Sequence, residues 1–330
     1  MRKKRIWIIA ITLFVTVAFV IGICLKLIAP SESFTLKPLL KLQERGILTN
    51  IYTEQIVIPE LTQSYRFMVI NDIHVIVANE EIMESEKENV TARQHLFTNQ
   101  NQVKSTEIFQ AVMDAADEIH ADGIFMIGDI IDFYSLGNAK VIEDAMEQVQ
   151  TPLIYVGADH DHFAFYSEVS QEEMNLLNQK IVDNPVQILE YDEFSVVGIE
   201  NSTSQLSEKG WEQTREVLTT GKPVLLLSHV PYQSLENNEL EVLSEQTKGD
   251  RKLLWGTNCY YQPDATTAKL LDAVYQEDTN VAAVLSGHLH FPYRTMLTKE
   301  VVEYVCAPSY LGIVTIIELI PKESLDTASH

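Results

Sequence analysis

Five apolar runs in this chain each end on a short polar motif, and this pairing constrains the fold more than any other feature. The runs are Phe67-Met68-Val69-Ile70, Ile124-Phe125-Met126-Ile127, Leu153-Ile154-Tyr155-Val156, Val224-Leu225-Leu226-Leu227 and Val281-Ala282-Ala283-Val284-Leu285. The motifs that follow them are Asp72-Ile73-His74, Gly128-Asp129-Ile130-Ile131-Asp132, Asp159-His160-Asp161, Ser228-His229 and Gly287-His288-Leu289-His290. Runs of this length and composition read as buried strands. In open α/β sheets the working residues gather outside the carboxyl ends of the strands. Five carboxylate and imidazole clusters delivered to one edge describe a metal centre, and their number suggests two metals.

Between the runs the pattern turns helical. Ile108, Val112, Ala115, Ala116 and Ile119 recur at three- and four-residue steps, and Val141, Ile142, Ala145, Met146 and Val149 do the same. Strand, helix, strand, helix, strand therefore covers about residues 66–156, which argues α/β layering. Residues 186–189 and 194–199 read as neighbouring strands of a second sheet. Residues 301–306 and 312–319 add further strands. Two segments break the alternation: residues 79–103, with Arg93 and His95, and residues 232–264, with Arg251, Trp255, Tyr260 and Tyr261. Long insertions of this kind are often lids or binding loops.

The chain has 330 residues and is 46% hydrophobic, which fits a globular protein and excludes wholesale disorder. Its formal charge of −23 argues against nonspecific nucleic-acid binding, which needs a basic footprint. An anionic substrate stays open, because bound cations invert the local field. At the amino terminus Met1-Arg2-Lys3-Lys4-Arg5 precedes an uncharged apolar run over residues 6–25. That is the length needed to cross a hydrocarbon core of about 30 Å. The basic tip favours a cytoplasmic amino terminus, with the soluble part outside the cytoplasm. A long cleaved signal peptide is the alternative, although no persuasive cleavage site follows. The expected organisation is a basic tip and membrane anchor (1–28), a stalk and edge element (29–64) and one large domain (65–330). Of the three cysteines Cys24 lies in the span; Cys259 and Cys306 either pair or remain structural thiols. Asn89-Val90-Thr91 and Asn201-Ser202-Thr203 match glycosylation acceptors, a signal relevant only in a eukaryotic secretory pathway.

The ordered motif series resembles the calcineurin-like metallophosphoesterases over roughly residues 66–319. The resemblance implies an α/β fold in which a two-sheet β-sandwich is flanked by helices, in α/β/β/α layers. It implies that Asp72, His74, Asp129 and His290 hold one divalent metal ion, and that Asp129, Asp159, His229 and His288 hold a second, with Asp129 bridging. Carboxylate and imidazole ligands together suit Mn, Fe or Zn better than Ca. The ordinary alternative for these residues is burial with backbone partners. Buried charges need pairing or metals, however, and Asp72, His74, Asp129, His229, His288 and His290 together at strand ends exceed coincidence, whereas Asp159 could also be a helix cap.

The activity implied is hydrolysis of a phosphomonoester or phosphodiester, with a water between the metals, deprotonated near neutral pH, as nucleophile. His160 would protonate the leaving oxygen, and Asp132 would accept its other ring hydrogen and orient it. Asp161 fits a supporting or capping role, and His162 a surface one. Two departures stand out. Asp159 replaces the family's usual Asn, and its added charge should tighten cation binding while weakening the metals as Lewis acids. Phe133 stands where serine/threonine protein phosphatases carry an Arg, which argues against that branch. The substrate stays open between nucleotides, lipid-linked phosphates and wall-polymer phosphodiesters, as does the oligomeric state. Arg93, His95 and Arg251 read as solvated, and Trp255, Tyr260 and Tyr261 as packing beneath a loop. Competing readings are a metal-retaining binding or sensing module and an acidic envelope protein that gathers cations.

Overall fold

The computed structural model describes residues 33–77, 79–202, 205–249, 253–256 and 263–322, with backbone alone at 178 and 180–183. The expected span at residues 6–25, together with Arg251, Cys259, Tyr260 and Tyr261, lies outside them. Among the described residues no helix is long and apolar enough to cross a membrane.

One sheet contains β1 (Asn50–Val57), β2 (Tyr65–Ile70), β3 (Gly123–Ile127), β4 (Leu153–Val156) and β11 (Ile313–Ile320), in the order β1-β11-β2-β3-β4. The other contains β5 (Val186–Glu190), β6 (Ser195–Ile199), β7 (Val224–Ser228), β8 (Val281–Ser286), β9 (Tyr293–Met296) and β10 (Val302–Val305), in the order β5-β6-β7-β8-β10-β9. The strands that end in polar motifs run parallel within each sheet: β2 with β3, β3 with β4, and β7 with β8. This is why their carboxyl ends share an edge. The two strands expected near the carboxyl terminus part company. β10 completes the second sheet, whereas β11 inserts antiparallel to β2 in the first.

The apolar runs of β2, β3, β7 and β8 are continuous because both faces of these strands are covered, whereas on β4 only Ile154 and Val156 are fully buried. Phe67, Val69, Phe125, Ile127, Leu225, Leu227 and Leu285 point into one cluster between the sheets. Alternate residues Val224, Leu226 and Val284 face outward into a second cluster with Val217, Leu270 and Val274. Those last three belong to helices at Glu208–Leu218 and Ala265–Tyr275. On the first sheet's side, helices at Lys37–Glu44, Ser105–Ala115 and Leu136–Gln148 pack on one another. Truncating a fully buried side chain such as Phe67 to Ala should cost about 3–5 kcal/mol.

Within the segment expected as a stalk and edge element, residues 37–57 are part of the domain. Leu39 and Leu42 of the Lys37–Glu44 helix are buried, and β1 pairs with β11 along its full length. The insertion at 79–103 carries a helix at Lys87–Leu96, and the one at 232–264 a helix at Glu239–Lys248. Cys306 is a buried free thiol. Asn201 is 0% exposed, and its side-chain amide donates to the Val230 carbonyl at 2.8 Å, so it offers no glycosylation acceptor.

Candidate dimetal centre

The register of β2 on β3 pairs Ile70 with Met126, and the loops beyond continue to zip together. Asp72 N–H donates to the Gly128 carbonyl (3.0 Å), His74 N–H to that of Asp129 (2.9 Å) and Asp132 N–H to that of Val75 (3.1 Å). Across the second sheet Gly287 N–H donates to the His229 carbonyl at 2.9 Å. The two pairs of loops are then stitched to each other: His288 N–H donates to both Asp72 carboxylate oxygens at 3.0 Å. Backbone pairing thus places the side chains before any cation is considered.

Five of these residues occupy the left-handed backbone region: Asp72 (φ 45°), His74 (50°), Asp129 (50°), His288 (69°) and His290 (58°). Only Gln102 and His120 join them among the described non-glycine residues. Such conformations cost roughly 1–2 kcal/mol apiece and concentrate at functional sites. Gly128 shares the conformation (φ 73°), and a Cβ there would also strike the His229 ring. Gly287 is needed for a different reason. Its φ is ordinary, but a Cβ would lie 2.5 Å from Asp72 Oδ2.

Ligand-type atoms of Asp72, His74, Asp129 and His290 all lie within 4.8 Å of one another, and so do those of Asp129, His229 and His288. Asp129 belongs to both groups. His74 Nε2 is 3.2 Å from His290 Nε2 and 3.7 Å from Asp129 Oδ2; His229 Nε2 is 3.3 Å from Asp129 Oδ2, and His290 Nε2 is 3.3 Å from Asp72 Oδ1. His74 and His229 are keyed from behind, by the Asp132 carboxylate at 3.0 Å and the Ile127 carbonyl at 3.0 Å. With each Nδ1–H donating there, the neutral ring turns its Nε2 lone pair inward. Asp129 Oδ1 and His229 Nε2 are buried without a hydrogen bond. Once His229 gives up its Nε2 proton, lone pairs of imidazole and carboxylate face one another in a buried acidic pocket, and the residues suit two divalent ions.

Charge states agree with this reading. Burial would raise the carboxyls, but His290 holds Asp72 at about 2 and His229 holds Asp129 well below the usual carboxylate range. Burial and the nearby His229 depress His288 to about 3, which leaves a neutral ligand. His229 is the opposite case. Burial lowers it, yet Asp129 outweighs that and lifts it to about 10. Cation entry must therefore displace a proton from His229.

His160 adjoins the first group, with His74 and Asp132. Burial would lower its pKa, but Asp129, the Asp132 carbonyl and the Asp132 carboxylate together hold it above the ordinary value. Its orientation departs from expectation. Nδ1 donates to the Asp132 main-chain carbonyl at 2.5 Å and stands 3.6 Å from the carboxylate. That carboxylate is already engaged by His74 and by Arg93, whose Nε and Nη2 donate at 2.5 and 2.6 Å. Asp132 therefore holds His160 through its backbone and His74 through its side chain.

Arg93, expected to be solvated, is half-buried in this pair and lies over the Phe97 and Tyr166 rings. His95 is exposed on the same helix. Sequence reasoning missed Phe97, which stacks on His74 at 4.1 Å, and Asn71, whose amide donates to Asp72 Oδ2 at 2.7 Å. Asn71 directly precedes a ligand, and that adjacency was its only signal. Asp161 accepts from the backbone N–H groups of Ile130, Ile131 and Ala158, so it ties its turn to the Asp129 loop. His162, expected at the surface or rim, is half-buried, with both ring nitrogens buried. Asp159 opens the short helix Asp159–His162 and is half-buried, outside the close-set ligand groups. Trp255 is buried against Tyr232 at 5.2 Å.

A family model described as calcineurin-like phosphoesterase matches residues 65–292. No curated protein matches significantly in sequence. Among solved structures, similarity extends to a dimetal phosphatase from Danio rerio (13% identity, TM-score 0.43, covering 74% of this chain and 87% of that one). A purple acid phosphatase from yellow lupin seeds also matches (15%, TM-score 0.41, 75% of this chain and 44% of that one). A third is Vacuolar Protein Sorting 29 from Cryptosporidium parvum (8%, TM-score 0.27, 75% and 76%).

Proposed function

Because the chain belongs to the calcineurin-like phosphoesterase family, we propose that it is a membrane-anchored dimetal phosphoesterase with its catalytic domain outside the cytoplasm. It would hydrolyse a phosphomonoester or phosphodiester. One observation carries the chemistry: polar motifs from both sheets converge on Asp129, with ligand atoms within 4.8 Å. The anchor rests on the basic tip followed by 20 apolar residues at positions 6–25.

Asp72, His74, Asp129 and His290 would hold one ion; Asp129, Asp159, His229 and His288 would hold the other, with Mn, Fe or Zn the best chemical fit. When bound, the ions supply Lewis acidity toward the phosphoryl oxygens and acidify a water. The rest falls to side chains. His160 Nδ1 is committed to the Asp132 carbonyl, so Nε2 is the atom left to carry a proton to the leaving oxygen. Asp132 and Phe97 fix the ring plane of His74. Arg93 neutralises Asp132, which keeps that carboxylate ionised despite burial.

The test is turnover of generic aryl phosphate mono- and diesters by the full-length protein loaded with each metal. His160→Ala should lose at least about 100-fold in kcat while retaining metal. A second reading, a metal-retaining sensor with little turnover, is favoured by Asp159, which departs from the family pattern and stands apart from the ligand groups. Two bound ions without turnover under any metal would establish it. For location, protease added outside intact cells should remove a carboxyl-terminal tag; protection of the tag would reverse the topology.

A further inference from the structure

Beside His160 the surface turns apolar. Phe163 and Phe165, just after the Asp159–His162 helix, are 39% and 44% exposed, with ring centroids 5.6 Å apart. The Phe165 ring lies 5.5 Å from that of His160. A loose loop does not explain this exposure, because the segment is pinned on both sides. Tyr134 N–H donates to the Phe163 carbonyl (2.9 Å), Met83 N–H to that of Tyr166 (3.1 Å), and Glu168 N–H to that of Glu81 (2.8 Å). Tyr166 packs edge-on against the buried Phe133 at 5.4 Å. The fold holds two phenyl rings in water at some cost, next to the group that must face the leaving oxygen.

We infer that Phe163 and Phe165 form the leaving-group subsite and that the substrate is a phosphoric ester of an apolar, chain-like alcohol. This inference rests on the phosphoesterase reading with His160 as acid. In that reaction water oxygen bonds to phosphorus and gives up one proton to solvent, while the ester P–O bond breaks, its electron pair goes to the alcohol oxygen, and that oxygen takes the His160 proton, which solvent then restores. The departing alcohol therefore lies against His160, where Phe165 is the neighbouring apolar surface. The rings are tilted 51° to each other, which forms a wedge for an alkyl chain rather than parallel plates for a flat base.

Ethyl and hexyl phosphates, with the matching diesters, test this, because their leaving alcohols have the same intrinsic reactivity. The full-length protein should prefer hexyl by about tenfold or more in kcat/KM, as burial of four further methylenes on an open rim allows. Phe165→Ala should reduce that ratio at least about fivefold, while Phe165→Leu should keep most of it. A ratio near one, a ratio unmoved by Phe165→Ala, or preference for adenosine 5′-monophosphate over hexyl phosphate would overturn the assignment. Absence of all turnover would count against the phosphoesterase reading instead. Calorimetry with ethyl- and hexylphosphonate on metal-loaded protein then decides the subsite: tighter hexyl binding weakened by Phe165→Ala supports it, and equal binding refutes it.

Discussion

The two positions of the metal centre are built to different standards. At the first, four candidate ligands converge within 4.8 Å, and His74 is gripped by Asp132 and stacked on Phe97. At the second, three converge and Asp159 stands outside the group. The cause lies in the sheets. Asp72, His74 and Asp129 emerge from β2 and β3, neighbours inside the first sheet whose loops remain hydrogen-bonded past the strand ends. Asp159 follows β4, an edge strand paired on one side only, and arrives on a single turn of helix. Backbone zipping holds the first group, whereas the turn that carries Asp159 is tied to the Asp129 loop through the Asp161 side chain. The sequence departs from the family pattern at this less-supported residue.

Removing the shared carboxylate should erase the contrast. Asp129→Asn is expected to abolish stoichiometric binding at both positions and to lower kcat/KM by at least about 10³-fold, the scale of losing a preorganised electrostatic centre. Elemental analysis of the purified variant checks it. Retention of one full equivalent of metal would mean that Asp129 serves one position rather than two. A smaller effect should fall on the first position alone. Asp132→Asn keeps the shape but weakens the hold on His74, so affinity there should drop about 10–100-fold, with the second position nearly unchanged. Metal titration followed by calorimetry separates the two steps. Equal losses at both would show that the positions are coupled rather than independently built.

How much of this was legible depends on what kind of interaction places each residue. Strands buried on both faces leave uninterrupted apolar runs, so β2, β3, β7 and β8 and the motifs after them could be read directly, and β4, half-covered on one face, is apolar along its length all the same. The helix at Lys37–Glu44 could not, because its few buried residues leave a short pattern that also fits a stalk. Arg93 and Phe97 were illegible for another reason. They reach His74 and Asp132 from an insertion, and no local spacing records partners 23 and 39 positions away. The left-handed backbone at five site residues is likewise invisible in one sequence, since Asp and His carry no mark of it. Asp132 shows the finer limit. Its nearness to His160 was readable, but whether carboxylate or carbonyl would face the ring depended on Arg93.

The second position can be probed by one atom. Asp159→Asn restores the family's usual residue and removes one negative charge, so second-position affinity should fall about tenfold, a modest effect for a half-exposed ligand. The first position should not respond. Unchanged affinity at both would show that Asp159 does not ligate, and the sensor reading would gain.

The smallest effect is expected beneath the loops that carry His229 and His288. Glu303 is fully buried there, accepting from Tyr232 N–H at 3.0 Å and from the Ser286 hydroxyl at 3.0 Å. Burial pushes its carboxyl up to about 8, against which these two donors pull only in part. The native protein thus keeps a proton that the unfolded chain releases near the ordinary glutamate pKa of about 4.3. The stability this gives is complete at acid pH, declines above that value and is lost as pH rises through about 8. Glu303→Gln has the same shape and no charge to bury. Its Tm should fall less than that of the unsubstituted protein between pH 6.5 and 9, by several °C for a domain of this size. Parallel declines would mean that Glu303 is ionised in the folded state, and that the support under the second position is not the neutral carboxyl argued here.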